Sequence, residues 1–400
     1  MIFTLIRNEI IKILKRPKTW IVFGLFFLCV SGMIFISYRE DKSMRHYTTP
    51  EGKIENLKSQ KEYYENRLKK AKETGGDKEF AEEQIKEIDN KIKKQEERKA
   101  NGNTEDSWKE DLIDEKEELQ NQLKDNTLLE EDKDSINKRI DDINKSLSQN
   151  KKPVENWEFN AINFGKGVTD TIGLVILILG IAIFMSDIVS GESTPATLKF
   201  LLVQPISRGK VIFAKFIAVT LIVITMIGGS EILAFLGVGA VKGFDGADTL
   251  VTVGKSYEWT TIEGSTEKML NVVKDSGFEV TRGHELLQIF GMQMLFIVAC
   301  CAFILLISTI FKSSMISMAI SLTISVASTM LCMVPSIGKN IAHLIFLNYG
   351  SPSKIIEGNI SLVFSNTNFS VNFGLALMVG VIVVSYALSH VVFCKKDMLI

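Results

Sequence analysis

Six stretches of this 400-residue chain are apolar over a length that can cross a lipid bilayer, for which roughly 20 residues suffice. They run from Thr19 to Tyr38, Val168 to Val189, Val211 to about Leu236, Leu287 to Phe311, Met315 to Pro335 and Val371 to Phe393. Only helices or closed barrels satisfy every backbone group inside lipid, and uninterrupted runs of this length read as helices. The expected fold is therefore an all-α polytopic membrane protein with six transmembrane helices. A basic flank at Lys12, Lys15, Arg16 and Lys18 precedes the first stretch in the manner of a signal peptide. No small-residue cleavage site follows it and further spans come later, so it reads as an anchor.

Charge is segregated from this apolar material. Residues 39–158 hold 26 of the 46 Lys and Arg and 32 of the 47 Asp and Glu. The remaining cations near span ends settle the orientation. Arg7 to Lys18, Lys199, Arg208, Lys210, Lys215, Lys312, Lys395 and Lys396 all fall on one side if the spans alternate. Under the positive-inside rule that side is the cytoplasm, with both termini in it, in a multi-pass protein of the cell membrane. The charged insertion then lies outside. The richness in Lys, Ile and Asn points to a bacterium.

Within the insertion, apolar residues step by three and four. Ile54, Leu57, Tyr64, Leu68 and Ala71 form one stripe, and Ala81, Ile85, Ile88 and Ile92 a second. Leu112, Leu119 and Leu123 form a third, and Leu129, Ile136, Ile140, Ile143 and Leu147 a fourth. This is coiled-coil spacing. "NGN" at Asn101–Asn103 marks a tip. "TGGD" (Thr74–Asp77) and "KDNT" (Lys124–Thr127) lie at similar distances on either side. The expectation for 39–165 is one long extracellular helical hairpin with these two breaks facing each other. At 1.5 Å per residue it would reach roughly 70 Å. Such an arm can space, dimerise or dock a secreted partner.

The connector "SGESTPATLKFLLVQPISRGKVIFAKF" (Ser190–Phe216) carries more structure than a loop needs. Thr194 can cap a helix that has Pro195 at its first position, and Pro205 ends it. A short helix over about 195–204 at the cytoplasmic face follows. The N-terminus makes a second interfacial helix: Ile2, Leu5, Ile6, Ile10, Ile13 and Leu14 share a face, with Arg7, Lys12 and Lys15 elsewhere.

With Glu192, Leu201, Leu202, "PISR" at Pro205–Arg208 and Lys215 in this order, the membrane part (1–38 and 165–400) resembles the membrane subunit of a type-2 ABC exporter. The departure is Pro195–Ala196–Thr197, where a Gly-Thr pair is usual. The resemblance implies an elbow helix over 1–18, a first span over 19–38, and five further spans within 166–400. It implies a coupling loop at 187–210 and outer loops at 241–286 and 336–370. Glu192, Thr197, Leu198, Leu201, Leu202, Pro205 and Arg208 would receive the motion of separate ABC ATPase subunits. Within the second outer loop, Lys339–Asn359 would form re-entrant helices closing the pathway. The implied substrate is amphipathic, peptide or lipid-like, and the implied assembly is a homodimer or heterodimer in membrane lipid, with no nucleic acid.

No nucleotide site of its own is expected. "VTVGKS" (Val251–Ser256) ends like a phosphate-binding loop, but Thr249 stands where that loop needs its first glycine. ATP and Mg would be bound by the partner. Glu231, at membrane depth after Gly228–Ser230, is a candidate pathway residue. Asp170, Asp187 and His390 lie near span ends, where they can stay hydrated. Cys29, Cys300, Cys301, Cys332 and Cys394 sit in or beside spans as packing residues. The other reading is a membrane-anchored coiled-coil receptor or scaffold without transport, which one span would serve. An intramembrane enzyme would need paired acids or His clusters on spans.

Overall fold

The computed structural model describes residues 2–74, 78–101, 107–124, 130–173, 176–192, 207–261 and 268–395. They divide into two compact units, one of residues 1–36 and 159–400, the other of residues 37–158.

The first unit holds the apolar helices. Helix α1 (Ile2–Leu14) is amphipathic and buries Ile13 and Glu9. A sharp corner joins it to α2 (Pro17–Thr48), which opens on a proline, a residue preorganised for that position. Carbonyls at the end of α1 would be orphaned there. Thr19 Oγ1 donates to Ile13 O at 2.6 Å and Trp20 Nε1 to Leu14 O at 2.8 Å.

The second apolar stretch is a broken pair, α7 (Ala161–Gly173) and α8 (Ile176–Met185), meeting at 59°. It is followed by α9 (Arg208–Lys242), α10 (Arg282–Ile310), α11 (Ser314–Cys332) and α15 (Val371–Lys395). By length and composition α2, α9, α10, α11 and α15 can each cross a membrane, and the broken pair makes a sixth span if counted as one. Helices α9 and α10 form the centre: 67% and 61% of their most apolar stretches are buried, against 11% for α2 and 17% for α15. On the packed face of α11, Ser317, Ser321, Ser325 and Thr329 recur every fourth residue. Small residues at that spacing let membrane helices approach closely.

Between α11 and α15 the chain folds into short helices, α12 (Pro335–Ile341), α13 (Pro352–Glu357) and α14 (Ile360–Phe364). The 3₁₀ turn Phe346–Gly350 between them is buried throughout. It can pack because Gly173 has no Cβ, whose place the Gly350 carbonyl takes.

The expected all-α architecture holds for the spans, but the loop 241–286, expected to lie outside, departs from it. Four strands form there: β1 (Leu250–Val253), β2 (Tyr257–Thr261), β3 (Lys268–Val272) and β4 (Phe278–Thr281). β1 pairs antiparallel with β4, Leu250 facing Thr281, and β2 with β3, Tyr257 facing Val272. Gly277 (φ 91°) permits the nesting, since a Cβ there would lie 2.7 Å from Val253 O.

The second unit is helical but is not one long two-helix hairpin. It contains the end of α2, then α3 (Pro50–Thr74), α4 (Lys78–Asn101), α5 (Ser107–Gln122) and α6 (Glu130–Ser148). Ion pairs give the register. Lys61 meets Asp89 at 2.6 Å and Lys99 meets Glu51 at 3.5 Å, so α3 and α4 run antiparallel. Arg98 meets Asp111 at 3.0 Å and Asp114 at 2.8 Å, and Lys91 meets Glu118 at 2.9 Å, so α5 turns back on α4. Arg139 meets Glu115 at 2.7 Å, so α6 turns back on α5. The chain thus reverses at every break, the one after Thr74 included. Ala81, Ile88, Leu112 and Ile143, all members of the expected stripes, are buried. The facing of residues 75–77 and 125–127 lies outside the described residues.

Candidate functional site

The spans meet the 187–210 connector at two shoulders, and both are tied down. At the entrance, Asp187 receives Lys18 Nζ at 2.9 Å and Arg16 at 3.6 Å, both from the α1–α2 corner. Two residues on, the backbone N–H groups of Val189 and Ser190 donate to Ser308 Oγ at 3.1 and 3.2 Å. Ser308, on α10 and fully buried, donates in turn to Ser186 O at 2.8 Å. A single hydroxyl on the fourth span thus closes the end of the second.

At the exit, Arg208 opens α9 and donates from its guanidinium to Cys394 O at 3.2 Å. That carbonyl is in the last turn of α15, where orphaned carbonyls accept from cations. Gly209 lies against the His390 ring, which leaves no room for a Cβ. Two turns further along α9, Lys215 Nζ donates to Glu9 Oε2 of α1 at 3.0 Å. Their side chains are 1% and 11% exposed. Two charges taken out of water are tolerated only as a pair, so α1 is fixed to the third span by mutual need.

Of the residues singled out in the connector, Arg208 takes part in this network. Glu192 lies in the 3₁₀ turn Ser190–Glu192. Thr197, Leu198, Leu201, Leu202 and Pro205 lie outside the described residues. Asp187, read from sequence as a span end that can stay hydrated, keeps a quarter of its side chain exposed and is also the acceptor for two cations. Glu9 and Ser308 were not singled out at all. Glu9 is the one acid in α1, a helix whose other charges, Arg7 and Lys12, are basic, and that is the signal that could have marked it.

The opposite ends of these helices carry a second polar network. Lys166 of α7 bridges Glu285 of α10, at 3.0 Å, and Glu357 of α13. Asp170 accepts from Ser351 at 3.4 Å and from Ser353. The strands are clamped to the same short helix: Gly254 N donates to Ile356 O at 2.7 Å and Lys255 N to Glu357 O at 3.0 Å. Tyr257 Oη donates to Asn359 Oδ1 at 2.7 Å. Burial, aided by the Glu357 charge, holds the Tyr257 phenol above its ordinary range. Burial also pulls His343 below its usual value.

Glu231 does not face an open surface. It is buried between α9 and α10, where it accepts from Gln293 Nε2 at 2.9 Å. An apolar groove of about 290 Å³ lies elsewhere, between α2, α8 and α9, lined by Val22, Phe26, Cys29, Leu177, Ile181 and Val223 among others. Among the described residues no group of His, Cys, Asp and Glu could hold a metal ion, and Cys300, Cys301 and Cys332 are buried free thiols.

A family model described as ABC-2 family transporter protein matches residues 3–398. No curated protein matches the chain. The match covers nearly the whole sequence, and the chain belongs to the ABC-2 transporter family. It is a multi-pass membrane protein and a permease of an ABC transporter, and the family implies partnership with ABC ATPase subunits.

Proposed function

We propose that this ABC-2 permease is an exporter that moves an amphipathic substrate, peptide or lipid-like, outward across the cell membrane. Separate ATPase subunits bind ATP and Mg and drive it through the 195–204 coupling helix. Two copies of the chain, or this chain and a sibling, form the translocating unit, and the 37–158 unit lies outside, free to meet an extracellular partner.

The observation that carries the reading is the pinning of both shoulders of the connector. A helix that only floated at the headgroups would need no anchors. Here a push on the connector passes through Asp187 to the α1–α2 corner and through Ser308 to the fourth span. At the far shoulder it passes through Arg208 to the sixth span and through Lys215 to α1. Close-packed interiors transmit such displacement rather than absorb it. The apolar groove of about 290 Å³ suits an acyl chain or an apolar side chain of the substrate.

The test is transport in inside-out vesicles containing the permease and its ATPase, with a fluorescent amphipathic peptide or lipid as the probe. ATP-dependent accumulation inside the vesicles is expected. Accumulation only in right-side-out vesicles would reverse the direction. No ATP-dependent movement of either probe would leave the scaffold reading standing.

A further inference from the structure

The contact between the third and fourth spans contains a mismatch. Glu231 is 6% exposed and Gln293 0%. They share one hydrogen bond, from Gln293 Nε2 to Glu231 Oε1 at 2.9 Å. The two remaining heads of the same two planar groups, Glu231 Oε2 and Gln293 Oε1, are buried and have no hydrogen-bond partner. Ser230, the adjacent hydroxyl, is spent on Met226 O. One turn along, Gly228 sits against Met294 and Phe290, so the wall beside the pair is apolar.

An ionised Glu231 cannot resolve this. Its second oxygen would be a buried negative atom without a donor, next to an amide oxygen that also needs one, and charge unpaired at membrane depth is costly. A neutral acid resolves both at once. An acid and an amide joined head to head bring their second heteroatoms across from one another, and an O–H on the acid supplies the donor that both lack. We propose that Glu231 is a proton-binding site inside the membrane: its proton resides on Oε2 and is donated to Gln293 Oε1. The pair is then a closed ring of two hydrogen bonds between α9 and α10. The proton holds these central helices together, whatever the permease carries.

The experiment is infrared spectroscopy of the full chain in lipid vesicles at neutral pH, comparing the wild type with Glu231→Gln and Gln293→Met. The wild type should show a protonated-acid carbonyl stretch that shifts in D₂O. Glu231→Gln should lose that band and unfold at an unchanged temperature, because a second amide can make the same two bonds. Gln293→Met should keep the band but move it to higher frequency as its acceptor is removed. If Glu231→Gln does not fold, the Gln293→Met shift alone decides. Loss of a carboxylate stretch in Glu231→Gln, or an acid region unchanged in both variants, would overturn the proposal.

Discussion

Lys215 on the third apolar span and Glu9 on the N-terminal helix stand 206 positions apart in sequence and 3.0 Å apart in the fold, both nearly closed to solvent. Removing one partner takes an opposite charge 3.0 Å away from a group that is nearly closed to solvent. Lys215→Met or Glu9→Leu alone should therefore cost about 3–5 kcal/mol. The double variant should recover most of that, since an apolar pair of similar volume is tolerated at such a position. Thermal unfolding in detergent reads the difference. Equal losses in the single and double variants would show that the pair is not coupled.

The four-helix reversal in the insertion is open to a distance measurement. Spin labels at positions 61 and 89, whose native side chains meet at 2.6 Å, should report a separation of roughly 10–20 Å, allowing for the linkers. In one long two-helix hairpin both positions would ride the same helix, about 42 Å apart at 1.5 Å per residue. A distance near the larger value would restore the single hairpin.

Sidedness has its own test. With the native cysteines replaced, single cysteines at Gly102 and Lys199 should differ toward an impermeant thiol reagent added outside intact cells. The first should label and the second should not. The reverse pattern would invert the topology on which the export direction rests.

His343 should make the short helices before α15 sensitive to acid. Burial holds its imidazole below the ordinary value of 6.5, and Asn366 Nδ2 lies 3.1 Å from its Nδ1. The unfolded chain therefore takes up a proton before the folded one does. Its contribution to stability is complete above pH 6.5 and declines as pH falls through and below that value. His343→Gln should flatten the fall in unfolding temperature between neutral and mildly acid pH. An unchanged slope would assign the sensitivity to other groups.

The spans were legible because a run of about 20 apolar residues has few alternatives. The break between α7 and α8 was not, since hydropathy averages across it. In the insertion the stripes were legible but their partners were not: spacing by three and four says which face of a helix is buried, not against what. The strands at 250–281 were hidden because each is only four or five residues long. In the candidate site, Arg208 and Lys215 stood out as basic residues beside an apolar span. Their acceptors did not. A lone Glu9 on an amphipathic helix looks like a solvated position, and Cys394 acts through its backbone carbonyl, which no side chain betrays. Gln293 was passed over because an uncharged amide within a span gives little signal until the acid beside it is seen.

The most direct test of the account is Leu201→Asp in the connector, followed through to the partner subunit. A buried apolar anchor carries interface energy that rim charges do not. An unpaired carboxylate in the groove that receives it should cost several kcal/mol while leaving every span untouched. The variant should insert in the membrane at the wild-type level, fail to retain the ABC ATPase on purification, and fail to stimulate its hydrolysis. Wild-type retention and turnover with Leu201→Asp would contradict the claim that this loop receives the work of ATP hydrolysis.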